Sequence, residues 1–339
     1  MRKVGFGVIG LGTFGKNHVA AYAQHPFAKL VAVCDVKEEL AKVTADTYKA
    51  RCYGDYREML ENPEVEAVSV VTPDFLHKEP VLACAENGKH VLCEKPLATT
   101  VQDAEEMVEA VEEAGVTLMV DFHNRWNPPF ALTMEAKLKG ELGEPVHAYL
   151  RLSDTVYVPT KMLSWAGKSS VLWFLGSHVV DLARWIINDE AVEVYATNGM
   201  KLLKSMGIET ADYYQYMVRF RNGATAAFEN SWVLPESLPT IVDFVAQFTF
   251  TKGCVYIDPL QHGAFRKFTQ NSWTYPNIIG GPLDIHGRRV GFVNESIAHF
   301  VDCIAQEKQP AATGRDGLAV TKILCAVENS ARESKPVSL

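Results

Sequence analysis

Short apolar runs alternate with amphipathic segments through the first third of the chain. The apolar runs have the length and branched side chains of buried strands, and the segments between them space their apolar residues as helices do. The predicted strands are Val4–Ile9, Leu30–Cys34, Val65–Val71, His90–Cys93 and Thr117–Val120, and the predicted helices are Lys16–Gln24, Glu38–Tyr48, Lys78–Asn87 and Val101–Ala114. This alternation predicts parallel βαβ crossovers and a doubly wound sheet.

After Asp121 the pattern changes to longer β-like runs, some of them separated by turn pairs such as Asn222-Gly223. An Asn-Gly pair between apolar runs is a strong hairpin signal. The predicted strands here are Val146–Leu152, Tyr213–Phe220, Ala224–Trp232 and Ile241–Phe250, and the predicted helices are Ser169–Ile187, Asn294–Gln306 and Leu318–Arg332. We therefore expect residues 1–121 to form an α/β domain. Residues 122–339 should form an α+β domain with a large, predominantly antiparallel sheet, its last helix returning to pack on the first domain.

Composition narrows the class of protein. A chain of 339 residues suits two domains, and 33 basic against 41 acidic side chains give a formal net charge of −8. This balance argues against nucleic acid as a partner, and no run of about 20 apolar residues predicts a membrane span. The seven cysteines form no CxxC pair, which favours reduced thiols in a cytoplasmic protein. Histidines and acidic residues show no metal-ligand spacing, so we expect no metal site.

A glycine-rich turn follows the first predicted strand and opens the first predicted helix. Its glycines are Gly10, Gly12 and Gly15, with Thr13 and Phe14 between the last two. In a dinucleotide-binding turn these glycines permit the tight bend, the approach of a pyrophosphate and close helix–strand packing, while the helix N-terminus attracts the phosphates. The alternative is an ordinary glycine-rich βα turn. The flanking strand and helix favour a Rossmann-type nicotinamide dinucleotide site.

Asp35 lies at the end of the second predicted strand, twenty residues beyond Gly15. An acidic residue here accepts hydrogen bonds from the adenine ribose and repels a 2′-phosphate, which favours NAD over NADP. Lys37 lies close enough to leave NADP open.

Two further motifs follow predicted parallel strands, at the edge of the sheet where ligands bind in open α/β folds. Thr72, Pro73 and His77 follow the third strand, and Glu94 and Lys95 follow the fourth, and we expect all five residues to contribute to cofactor binding. A lysine beside a nicotinamide can assist removal of a hydroxyl proton, although most lysines are solvated surface residues. Pro96 makes the Lys95–Pro96 bond a candidate cis peptide.

Together, the glycine turn, Thr72-Pro73 with His77, and Glu94-Lys95-Pro96 resemble the glucose–fructose oxidoreductase/inositol dehydrogenase/rhizopine-catabolism (Gfo/Idh/MocA) family. The likeness continues through Asn124-Arg125-Trp126-Asn127-Pro128, Gly143-Glu144-Pro145, His299-Phe300-Val301-Asp302 and Thr313-Gly314-Arg315-Asp316-Gly317, so it covers essentially the whole chain. The resemblance implies NAD(P)-dependent oxidation or reduction of a secondary alcohol on a sugar, inositol or related polyol. It also implies that Lys95 assists proton transfer, and that the protein is a homodimer or homotetramer, formed through the second sheet.

In this family a later helix carries an aspartate and, four residues on, a histidine. His178 matches the histidine, but Phe174 stands at the aspartate position. Without a neighbouring carboxylate the histidine should prefer its neutral form. We therefore expect Lys95 to carry most of the proton transfer and His178 to position the hydroxyl. The alternative for His178 is a structural histidine on an apolar helix.

Several further residues are candidate substrate contacts, because aromatic rings stack on sugar rings and polar tips bind hydroxyls. They are Asn124, Arg125, Trp126, Tyr157, Trp165 and Trp173. At least half of the aromatic ones are expected to be packing residues instead. Two other functions stay open: cleavage of a glycoside through transient oxidation by bound NAD, and cofactor binding without catalysis.

Overall fold

The computed structural model describes residues 2–259, 267–269, 273–274 and 283–339. Contacts divide these residues into two compact units: the first contains residues 2–126 and 283–321, and the second contains the rest. The first unit is thus built from two separate segments of chain, whereas a single cut after residue 121 was predicted. The sequence predicts a return of the last helix only. Hydrophobic periodicity reports neighbours along the chain, so it could not show that residues 283–313 also belong to the first unit.

The first unit contains a six-stranded sheet whose strands are all parallel, in the order β3-β2-β1-β4-β5-β6. Its strands are β1 (Val4–Ile9), β2 (Ala28–Cys34), β3 (Arg51–Tyr53), β4 (Ala67–Val70), β5 (His90–Cys93) and β6 (Leu118–Val120), and its helices are α1 (Gly15–Gln24), α2 (Glu38–Tyr48), α3 (Tyr56–Leu60), α4 (Lys78–Glu86) and α5 (Val101–Glu113). This is the predicted doubly wound arrangement, and its strand order is that of a Rossmann fold. The sequence pattern missed β3, a three-residue strand at the sheet edge without a buried residue.

The second unit contains a seven-stranded sheet. The strands before residue 260 are β7 (Pro145–Thr155), β8 (Ala191–Gly199), β9 (Tyr213–Phe220), β10 (Thr225–Leu234), β11 (Val242–Phe250) and β12 (Cys254–Ile257), and the helices are α6 (Pro128–Leu138), α7 (Ser177–Ile187) and α8 (Leu202–Ser205). Every neighbouring pair is antiparallel except β10 and β7, which confirms the predominantly antiparallel sheet. The predicted hairpin is present as well, since Asn222 and Gly223 turn the chain from β9 into β10.

The remaining elements are short strand pairs and two long helices. They are β13 (Lys267–Phe268), β14 (Trp273–Thr274), β15 (Leu283–Ile285), β16 (Arg288–Val290), α9 (Phe292–Gln306), α10 (Gly314–Glu333) and β17 (Val337–Ser338). β17 completes the second sheet beside β8, in the order β12-β11-β7-β10-β9-β8-β17. α9 belongs to the first unit, where its Phe300 lies edge-on to Phe6 of β1 in the hydrophobic core. The division between the units falls inside α10, after Thr321.

Two segments of the second unit form π-helical turns, Val158–Met162 and Leu172–Gly176, and the second leads directly into α7. Single π-helical turns are rare and occur often at functional sites. The sequence pattern predicted one continuous helix over Ser169–Ile187. Among the described residues, no helix combines the length and the apolar character that crossing a membrane requires.

Candidate active site

The glycine turn between β1 and α1 has the geometry that a dinucleotide site needs. Gly10 has a φ of +92°, and a Cβ on it would lie 2.5 Å from the carbonyl oxygen of Val71. A Cβ on Gly15 would lie 2.1 Å from the carbonyl oxygen of Gly10, whereas one on Gly12 would meet no atom within 4 Å. Packing of the turn therefore requires Gly10 and Gly15, and Gly12 borders open space.

The chemistry around that open space fits a phosphate group. Within the described chain, α1 has no side-chain hydrogen bond capping its N-terminal end. The positive end of the helix dipole therefore favours an anion at this N-terminus. Thr13 is exposed and Phe14 is half-buried, with its ring stacked at 6.0 Å from that of His123.

Asp35 lies just beyond the C-terminal end of β2 and is tied to this turn. One carboxylate oxygen accepts a hydrogen bond from the backbone N–H of Leu11 at 2.8 Å, and the other accepts one from the backbone N–H of Lys37 at 2.8 Å. The side chain is only partly buried. These bonds fix the carboxylate beside the glycine turn, where the sequence predicts the adenine ribose.

His77 joins the two loops that follow β4 and β5. Its ring is buried, with Nδ1 at 2.8 Å from the carbonyl oxygen of Pro96 and Nε2 at 2.9 Å from that of Thr72. The sequence placed His77 among the cofactor-binding residues; its side chain holds together the segments that carry Thr72, Pro73 and Lys95. The Lys95–Pro96 peptide is cis, as predicted.

Glu94 and Lys95 are buried at the end of β5, and α1 and the end of β6 bring polar groups close to Glu94. His18 of α1 contacts Glu94 Oε1 through Nε2 at 3.1 Å, and the same nitrogen lies 3.8 Å from Asp121 Oδ2, just after β6. One atom from each of these three residues lies within 4.8 Å of the others. We call His18, Glu94 and Asp121 the His18 cluster. All three are at least 95% buried.

The surroundings of the cluster shift the pKa values of its two carboxyl groups in opposite directions. Burial opposes ionisation of Glu94, but the hydrogen bond and charge of His18 outweigh it and hold the pKa of Glu94 at about 2. Burial, together with the negative charge of Glu94, raises the pKa of Asp121 to about 7. Burial also lowers the pKa of the neighbouring His123 to about 4. At neutral pH the cluster therefore holds one firmly ionised carboxylate and one that can keep its proton.

In the second unit, His178 is the second residue of α7 and is largely buried. Phe174 lies in the π-helical turn before it and is half-buried. The Phe174 ring stands edge-on to Trp165, with centroids 6.2 Å apart, and lies 6.5 Å from the buried Trp232. We call these three residues the Phe174 cluster. An aromatic cluster thus occupies the position where the resemblance leads one to expect a carboxylate.

The other predicted substrate residues divide into two groups. Arg125 is buried, donates to the carbonyl of Ala311 and lies 3.6 Å from Asp316, and the Nε1–H of Trp173 donates to Glu328 at 2.9 Å. The Arg125 side chain is therefore part of the packing of the first unit, and the Trp173 side chain is part of the packing of the second. Asn124 is buried, and Trp126 is half-buried against His299. Trp165 and Tyr157 keep part of their surface exposed.

Sequence reasoning did not identify His18 and Asp121 as functional residues. Asp121 had the same signal as Glu94, a carboxylate directly after a parallel strand, but without a recognised motif around it. His18 lies 76 residues from Glu94 and 103 from Asp121 (94 − 18 and 121 − 18), so no local spacing could show that they meet.

Comparison with known proteins agrees with the geometry. Residues 4–122 match the model of an oxidoreductase family with an NAD-binding Rossmann fold, and residues 132–256 match the GFO/IDH/MocA C-terminal domain. An inositol 2-dehydrogenase of Rubrobacter xylanophilus is 30% identical, over 78% of this chain and 74% of the relative. A myo-inositol 2-dehydrogenase of Thermotoga maritima is 27% identical over 98% of each chain.

A solved structure shows the same fold at lower identity. The scyllo-inositol dehydrogenase from Lactobacillus casei, with bound NAD(H) and scyllo-inositol, has a TM-score of 0.83 over 99% of each chain and 17% identity. The glycine turn, Asp35, the parallel sheet and both matched domains point to one conclusion. The chain belongs to the GFO/IDH/MocA family of oxidoreductases, with an NAD-binding Rossmann domain.

Proposed function

We propose that the protein transfers a hydride between NAD and a secondary alcohol of a sugar, inositol or related polyol. The observation that carries this proposal is the placement of Lys95: a buried lysine at the end of β5, beside ionised Glu94 and in the same unit as the glycine turn. Relatives that include inositol dehydrogenases support the polyol class.

Each group in the site has a proposed task. The glycine turn and the N-terminus of α1 would hold the pyrophosphate, and Asp35 would accept hydrogen bonds from the adenine ribose. The bound dinucleotide supplies the acceptor for the hydride. Lys95 takes the hydroxyl proton as the carbonyl forms, and the neighbouring carboxylate of Glu94 stabilises the resulting ammonium. His178 positions the hydroxyl, and the exposed parts of Trp165 and Tyr157 pack on the carbon ring.

The test is to measure NAD binding and NADH formation with the full chain. NAD and NADP are each titrated first, and a panel of inositol isomers, aldoses and sugar alcohols is then followed at the NADH absorbance band. We expect saturable NAD binding and net NADH formation with at least one polyol. NAD binding without any turnover would support a binding protein instead, and glycoside cleavage without net NADH would support transient oxidation.

We also propose that the second sheet forms the interface of a homodimer or homotetramer. Strand register places one row of residues across six strands of its open face: Tyr195, Met217, Ala227, Tyr149, Gln247 and Tyr256. Met217 is 53% and Tyr256 73% exposed. A continuous row with three tyrosines and a methionine is the surface that subunit interfaces use.

Replacing Met217 with Glu places a charge within this row and should weaken self-association about tenfold or more. Sedimentation velocity over a range of protein concentrations measures the effect. The control is Leu132→Glu on α6, another exposed apolar residue in the same unit, which should leave association unchanged. A wild-type protein that is monomeric at every concentration would contradict the proposal.

A further inference from the structure

The His18 cluster contains more acceptors than donors. His18 Nε2 faces both Glu94 Oε1, at 3.1 Å, and Asp121 Oδ2, at 3.8 Å, and a single ring N–H can donate well to only one of them. The distances assign that N–H to Glu94. The other ring nitrogen, Nδ1, lies 2.9 Å from Ser69 Oγ, which also contacts the hydroxyl of Tyr22. The imidazole is therefore fully engaged without Asp121.

Asp121 has one oxygen satisfied and one unsatisfied. Ser296 of α9 donates its hydroxyl to Oδ1, while Oδ2 is the buried atom that has no hydrogen-bond partner among the described residues. A buried, ionised carboxylate with an oxygen that lacks a donor is costly, and the neutral, protonated acid is less costly in the same place. With the ionised Glu94 nearby, two negative charges in this space would repel each other.

We propose that Asp121 is a positioning residue for Lys95: it holds a proton in the buried cluster and, by releasing it, sets how readily Lys95 becomes an ammonium ion. The inference rests on the proposed role of Lys95 as the group that takes the hydroxyl proton. Lys95 directly follows Glu94, and its backbone N–H donates to Glu94 Oε2 at 3.2 Å. When Asp121 is ionised, its negative charge favours the ammonium form of Lys95, and when it is neutral this stabilisation is absent.

Several titratable groups interact with Asp121 or with the other members of the His18 cluster and would share in its titration. They are His18 and Tyr22 on α1, Cys93, Glu94 and Lys95 at the end of β5, and His123 after β6. Among the carboxyl groups of this set, Glu94 is held ionised by His18, which leaves Asp121 as the member that changes charge near neutral pH. Burial raises the pKa of both Cys93 and Tyr22, so neither competes with it.

The test is Asp121→Asn, which keeps the shape and an acceptor for Ser296 but cannot ionise. Above neutral pH the wild type has a charged Asp121, which holds the proton on Lys95. The variant lacks that charge, so Lys95 should lose its proton at lower pH. The rising limb of kcat/KM for alcohol oxidation should move to lower pH by about one unit. The matched control Asp103→Asn, on α5, should leave the limb in place.

A merely structural role for Asp121 would lower kcat without moving this limb, and that result would overturn the proposal. A second readout does not depend on turnover. The pH-difference infrared spectrum should show a carboxylic-acid C=O band that disappears through neutral pH in wild type, is missing in Asp121→Asn and remains in Asp103→Asn. If that band is present but wild type oxidises no polyol, the proposed function fails and the proton-holding cluster stands. Absence of the band, or a metal ion retained stoichiometrically by wild type and lost in Asp121→Asn, would overturn the proposal.

Discussion

The His18 cluster of the first unit and the Phe174 cluster of the second are built from opposite kinds of side chain. The first buries an imidazole, two carboxyl groups and the adjacent Lys95 at the ends of parallel strands. The second places two half-buried aromatic rings and a buried Trp232 around a π-helical turn that leads to His178. Resemblance to the family implies a carboxylate in both regions. The first region contains it as Glu94, whereas the second has Phe174 at the corresponding position.

Because of this difference, we expect the two units to contribute to different parts of the proposed reaction. Titratable groups are concentrated beside Lys95, where burial and mutual charge shift the pKa of Glu94, Asp121 and His123 and leave that of Asp121 near neutral pH. Aromatic rings at Phe174 and Trp165 offer surface and shape to a substrate but have no proton to exchange. The first unit is therefore expected to control the rate of the chemical step, and the second to control which substrate is held.

The largest effect should come from truncating the lysine. Lys95→Ala removes the proposed general base, and we expect kcat to fall about 10²- to 10⁴-fold while the dissociation constant of NAD changes little. His178→Ala should lower kcat/KM about tenfold less than Lys95→Ala does. It should act mainly by raising KM, because positioning a hydroxyl contributes to substrate binding. Steady-state kinetics and NAD titration on both variants test this. An active Lys95→Ala beside an inactive His178→Ala would reverse the assignment.

A smaller effect, confined to the cofactor, is expected at Gly12. A Cβ there meets no protein atom within 4 Å, so Gly12→Ala should fold normally, yet the methyl group would occupy the space proposed for the pyrophosphate. We expect NAD binding to weaken about 10- to 100-fold, or about 1.4–2.8 kcal/mol. Gly54→Ala is the matched control, because Gly54 also borders open space and lies outside the turn. Calorimetric titration and thermal melting of both variants make the comparison.

Retained NAD affinity in Gly12→Ala would mean that the pyrophosphate lies elsewhere. Gly15→Ala should behave differently from Gly12→Ala and Gly54→Ala. Its Cβ would lie 2.1 Å from the Gly10 carbonyl oxygen, so the turn must distort and the melting temperature should fall. Loss of binding with normal stability at Gly12, and loss of stability at Gly15, would separate contact with the cofactor from packing of the turn.

The two regions also differ in how far their structure could be predicted from sequence. β1 and β5 have the predicted bounds, because a buried parallel strand is a continuous apolar run that ends where polar residues begin. Glu94 and Lys95 could be placed at a strand end for that reason. The contacts around Glu94 and Asp121 could not be predicted. His18 contacts Glu94, and Ser296 donates to Asp121, from distant parts of the chain.

In the second unit the sequence predicted a single helix over Ser169–Ile187, and the chain forms a π-helical turn before α7. The apolar spacing of Val171, Leu172 and Leu175 fits both forms, since one extra residue in a turn shifts the periodic pattern only slightly. Resemblance located Phe174 and His178, but only the folded structure shows that Phe174 packs against Trp165 and Trp232. Packing across elements, rather than local propensity, determines what such a position can hold.

The smallest effect, and the sharpest test of the contrast between the regions, is expected for Phe174→Asp. The new carboxylate would lie four residues before His178, where a negative charge favours the imidazolium and raises the histidine pKa. If neutral His178 receives the hydroxyl, the acid limb of kcat/KM should move to higher pH, with a change of a few fold at neutral pH. Loss of the ring contacts with Trp165 and Trp232 should cost about 1–3 kcal/mol of stability. Phe174→Asn shares that loss but adds no charge, so pH profiles that coincide for the two variants would show that His178 does not respond to this position.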